Sequence, residues 1–127
     1  MDTATGQKRE ETAYPSAAPG TPKPKEVQVY IVTDPTTRKI INVVPDPFHV
    51  SKKNLQEVRW ICIPEQNFSV DFDKGDGSPF YESHFDQDNP CSGLPGRKVG
   101  GLGNQNPYGY TVRTDYDTRD PQGVVDP

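Results

Sequence analysis

The sequence predicts an all-β fold, and three observations carry that prediction. Apolar residues alternate with polar ones in short runs, first Val58, Trp60 and Cys62, then Phe68, Val70 and Phe72. A period of two buries one face of a strand and wets the other. No stretch repeats apolar residues at the 3.6-residue period of a helix. Fourteen prolines and eleven glycines punctuate the 127 residues, and such residues mark turns between strands.

Residues 1–26 read as a disordered tail. They hold four prolines, one aromatic residue (Tyr14) and balanced charges, too little apolar surface to offset the entropy of ordering. The domain is expected over residues 27–127. Its first strand is residues 27–33, VQVYIVT, rich in β-branched residues. Asp34, Pro35, Thr36 and Thr37 are turn residues, and residues 39–44, KIINVV, return as the second arm of a hairpin. Proline cannot donate to a ladder, so Pro45 and Pro47 end that arm. Phe48, His49 and Val50 resume as a short strand. Residues 55–63 and 67–72 are the two alternating runs, separated by the break Pro64, Glu65, Gln66, Asn67. Asp73 to Gly77 form a turn by every local rule. Residues 78–103 show no clear period and read as a long loop, with Phe80, Tyr81 and Phe85 available to pin it. Residues 107–113 give a strand with Tyr108, Tyr110 and Val112 on one parity, and residues 123–126 add a last one. Six or seven short strands with turn signals make a single sandwich or barrel.

Composition narrows the function classes. No apolar run approaches the 18 residues of a membrane span. The N-terminus lacks the apolar block of a secretory signal, so a cytoplasmic location is expected unless a signal was removed before residue 1. Net charge is −4, which does not favour nucleic acid. Charge is uneven: residues 65–88 carry seven acids and one base, and residues 38–59 carry five bases and two acids. Two cysteines are too few for a disulfide framework. Cys62 reads as a buried thiol, and a bridge to Cys91 is the alternative in an oxidising compartment.

The strand holding Trp60, the F-x-V-x-F of Phe68, Val70 and Phe72, a long loop and the Y-x-Y-x-V of Tyr108, Tyr110 and Val112 together resemble the cupredoxin-like β-sandwich over residues 27–127. The chain also resembles small bacterial proteins with a cupredoxin-like domain and no evident copper site. The resemblance implies a Greek-key sandwich. It does not carry over copper: that family binds it through an upstream His and a C-terminal Cys-His-Met set, and no Cys, His or Met follows Tyr110 here. An immunoglobulin-like sandwich is the neighbouring alternative, but Trp60 precedes both cysteines.

The side chains that could carry chemistry are few. His49, His84, Cys62 and Cys91 are the soft metal ligands and stand at no metal-like spacing. Asp71, Asp73, Asp76 and Glu82 imitate a calcium loop, with Asp76 standing where that loop needs glycine. The glycine-rich residues 96–104 lack the phosphate-binding pattern. No catalytic constellation or cofactor is indicated. The expected function is therefore a non-catalytic binding or structural module with a protein partner, anchored through Tyr81 and Arg97 because Tyr and Arg dominate interface energetics. Metal binding, by the Asp-rich turn (Ca) or the His/Cys set (Cu or Zn), is the alternative.

Overall fold

The computed structural model describes residues 25–96 and 107–127. Among them are ten strands and no helix: β1 (Lys25–Thr33), β2 (Ile40–Val44), β3 (Phe48–Ser51), β4 (Gln56–Ile63), β5 (Phe68–Asp71), β6 (His84–Asp86), β7 (Tyr108–Gly109), β8 (Thr111–Thr114), β9 (Thr118–Arg119) and β10 (Gln122–Asp126). They form three open sheets, ordered β2-β1-β4, β9-β8-β5-β6 and β3-β10-β7.

The expected hairpin is β1 with β2, antiparallel, closed by a turn in which Asp34 Oδ1 accepts the Thr36 and Thr37 N–H groups at 2.7 and 3.0 Å. On its other side β1 pairs in parallel with β4 along eight positions, Lys25 opposite Gln56 through Val32 opposite Ile63. That ladder starts β1 two residues before its apolar pattern begins. The Lys25 N–H donates to the Leu55 carbonyl at 2.9 Å, and Glu26 meets Arg59 Nε at 2.8 Å. The remaining residues of the expected tail, 1–24, lie outside the described residues. The break after Ile63 carries the chain from the three-stranded β2-β1-β4 sheet to β5 in the four-stranded sheet.

Two expectations change in detail. The strand expected over residues 107–113 is two strands in two sheets. Its chain crosses at Tyr110, whose N–H donates to the Pro121 carbonyl at 3.0 Å. Tyr108, Tyr110 and Val112 nevertheless share the buried side. The segment expected as a loop contains β6, which places Phe85 opposite Val70.

The alternating residues meet in one core. Val29, Ile31, Val58, Trp60, Val70 and Val112 are each at most 1% exposed. At its centre six rings touch: Phe48, Trp60, Phe72, Phe80, Phe85 and Tyr110. Trp60 stacks on Phe85 at 5.3 Å between centroids, and Phe72 lies 4.9 Å from Tyr110. The Trp60 indole N–H points at the Tyr110 hydroxyl, 3.4 Å away, so the polar tips of two buried aromatics satisfy each other. Burial pushes the Tyr110 phenol far above its ordinary value. No helix of the described residues is long and apolar enough to cross a membrane.

Candidate functional site: two unlike sheet faces

The pleat sends the residues between the core positions outward, so each sheet has an outer face whose chemistry is open to solvent. On the four-stranded sheet that face is a lattice of charges. His84 and Thr111 flank Asp71, and Arg113 and Asp86 flank Ser69. His84 Nδ1 lies 2.7 Å from Asp71 Oδ1 and its Nε2 3.4 Å from Asp86 Oδ2. Arg113 spans to Asp71 and Asp73, both at 3.2 Å, and the Thr111 hydroxyl donates to Asp73 at 2.8 Å. The Thr111 hydroxyl, assisted by Arg113, holds the Asp73 carboxyl below the usual range.

The hydrogen bond to Asp71 raises the His84 pKa above 6.5. A histidine whose folded pKa is raised stabilises the fold in its protonated form. That contribution is complete below the unfolded value near 6.5 and disappears as pH rises through the folded pKa. His84→Gln should therefore destabilise more at pH 5.5 than at pH 8.5. Urea unfolding at the two pH values checks this, and an equal loss at both would contradict it. The side chain is 56% exposed, so solvent screens the effect.

The calcium-like residues are not gathered into a cage. Asp71 and Asp73 are turned onto Arg113, His84 and Thr111, while Asp76 and Glu82 stand exposed. The turn itself closes as expected, with the Gly77 N–H on the Lys74 carbonyl at 2.9 Å and Gly77 at φ 72°. The soft ligands are dispersed as well. His49 on β3 meets Asp126 at 3.2 Å, and His84 lies on β6. Cys62 faces the core, whereas Cys91 sits opposite Arg59, whose side chain points outward. The pleat thus directs the two thiols to opposite faces, and both are free. No group of three His, Cys, Asp or Glu side chains among the described residues is placed to hold a metal.

The outer face of β2-β1-β4 has the opposite character. Its rungs place Val44 and Ile61 beside Tyr30, and Asn42 and Ile63 beside Val32. Ile41 is the extra residue at the register shift beside Val32 and Thr33. Ile41, Val44 and Ile63 are 55%, 36% and 45% exposed, three of the six well-exposed large apolar side chains of the described residues. Scattered apolar side chains are ordinary on a surface, but contiguous ones mark contact sites. Toward the start of β1 the same face turns polar, with Gln28 accepting from the Tyr30 hydroxyl and Glu26 paired with Arg59. Sequence reasoning did not single this face out, because its residues come from three strands that only the parallel β1–β4 pairing brings together.

Of the two expected anchors, Tyr81 is 72% exposed beside the buried Phe80, and Arg97 lies outside the described residues. Phe80 and Phe85, at 5% and 1%, belong to the core. Tyr81→Ala should accordingly change the stability by no more than about 0.5 kcal/mol, whereas Phe85→Ala should cost about 3–5 kcal/mol. Thermal melts of the pair check the split, and a large loss at Tyr81 would place it in the core as well.

Among the described residues one buried polar side-chain atom has no partner. Gln66, 9% exposed, donates through Nε2 to Thr33 Oγ1 at 3.0 Å and to the Arg38 carbonyl at 3.2 Å. A carbonyl only accepts, so the nitrogen end is fixed there. Oε1 is left buried with no donor, at a cost of about 1–3 kcal/mol.

Comparison with family models, curated proteins and solved structures finds no match to this chain.

Proposed function

We propose that this chain is a non-catalytic binding module that docks another protein on the outer face of β2-β1-β4, within a Greek-key sandwich of cupredoxin-like outline. The observation that carries the docking is the contiguous row of Val44, Tyr30, Ile61, Val32 and Ile63 on a rigid sheet. Such a face gains from being covered, and strands hold it in place without an ordering cost at binding. The sandwich outline is supported by the separate sheets β2-β1-β4 and β9-β8-β5-β6, whose alternating residues meet in one core. Tyr81 adds a second exposed contact for the same kind of partner.

The test introduces charge on the face. Ile63→Lys combined with Val44→Lys should abolish capture of the partner from an extract of the native source. Arg113→Glu, on the charged face, should leave capture intact. Capture that survives the two lysines on a folded protein overturns the assignment of this face.

A further inference from the structure

Among the described residues β4 stands at the edge of its sheet, and its two halves are treated differently. Along the first half, residues 90–92 run antiparallel to it. The Trp60 N–H donates to the Pro90 carbonyl at 3.1 Å, and the Ser92 N–H to the Val58 carbonyl at 2.8 Å, with Arg59 opposite Cys91. The ladder stops at Pro90, which has no N–H to return, and the chain turns away through mutual bonds between Asp86 and Asn89. Val58 and Trp60 direct their backbone groups to this open side. By the alternation of a strand, Cys62 does the same. Among the described residues no strand lies beside Cys62 there.

This position opens onto a recess of about 290 Å³. That is at the small end for a ligand pocket (roughly 300–1,000 Å³) and suits one large side chain. Trp60, Cys62, Phe68 and Pro90 supply apolar walls, and Gln66 lines the same recess. In an antiparallel pair, a residue opposite Cys62 points its side chain to the same side as the Cys62 thiol, which is the core side holding Trp60 and Phe68. Glu65 stands on the rim and is the acid among its lining residues.

From these features we infer that the recess captures an extended segment of the partner by strand addition at Cys62, a refinement that rests on the binding-module reading above. The segment places one tyrosine or tryptophan opposite Cys62. Its backbone N–H and carbonyl complete the Cys62 rung, its ring fills the recess beside Gln66, and flanking lysine or arginine residues face Glu65. Main-chain bonds supply the affinity and the recess supplies the specificity, as in other strand-addition sites.

The probe is the synthetic peptide acetyl-Lys-Val-Tyr-Val-Lys-amide, titrated into the full chain and followed by amide NMR. The Cys62 backbone and Gln66 side-chain amides should shift together. Replacing the peptide's tyrosine by alanine should weaken binding about tenfold or more, the worth of the buried ring. Methylating the tyrosine's backbone nitrogen, or Glu65→Lys in the protein, should weaken it further. The inference is overturned by no shift at Cys62 and Gln66 up to millimolar peptide, by equal binding of the N-methylated peptide, or by the same shifts arising from protein concentration alone, which would make the occupant a second copy. The wider binding reading fails separately, by the lysine variants at Ile63 and Val44.

Discussion

Trp60→Ala should remove about 3–5 kcal/mol of stability, the usual loss for a large aromatic taken from a core. Trp60 is 1% exposed and touches Phe48, Phe72, Phe85 and Tyr110, so its ring joins β3 of one sheet, β6 of a second and β4 of the third. Its removal also leaves the Tyr110 hydroxyl without the indole N–H in a buried site. Native domains hold roughly 5–15 kcal/mol in all, so the variant should lie near the limit of folding. Trp60→Phe keeps a ring in place and should cost clearly less. Urea midpoints measure both, and a midpoint for Trp60→Ala close to the parent value would mean that the aromatic cluster does not hold the sheets together.

Gly123→Ala should be as damaging, by the opposite route. Gly123 on β10 pairs with Phe48 on β3, and the Phe48 ring lies across it. A Cβ at this position would stand 2.0 Å from Phe48 Cζ and 2.3 and 2.5 Å from its Cε atoms. The ring has little room to give way, being 0% exposed and set against Trp60, Phe80 and Tyr110. Overpacking typically costs about 1–3 kcal/mol and occasionally more, and this site belongs at the upper end. The cause is checked by a second substitution. Phe48→Leu should cost less in the Gly123→Ala background than in the parent, a coupling of about 1 kcal/mol or more. Additive losses would show that the methyl group clashes with something other than that ring.

Much of the core was legible, because period two needs only local sequence. Val29, Ile31, Val58, Trp60, Phe68, Val70, Phe72, Tyr108, Tyr110 and Val112 all fall on the parity that the pattern assigns to the buried side. What local pattern cannot carry is pairing. Nothing near Lys25 or Glu26 announces that they continue β1, since the ladder to residues 56 and 57 holds them there. Strand β6 is three residues long with one apolar member, too short for an alternation to show. The steric demand at Gly123 depends on a neighbour 75 positions earlier in the chain.

The candidate sites were less legible for the same reason. Asp71 and Asp73 read as calcium ligands until Arg113, some 40 residues on, is seen to reach both. Gln66 reads as a turn residue, yet its side chain is buried between Thr33 and the Arg38 carbonyl. The apolar face proposed for docking is assembled from β1, β2 and β4, and each strand contributes only one or two of its residues.

The docking face is tested most directly by photo-crosslinking. A benzophenone side chain installed at position 63, on the apolar face, or at position 113, on the charged one, is irradiated in an extract of the native source, and the adducts are mapped by mass spectrometry. The account predicts a discrete protein adduct from position 63 and none from position 113. Adducts from position 113 alone, or the same adducts from both, would contradict it.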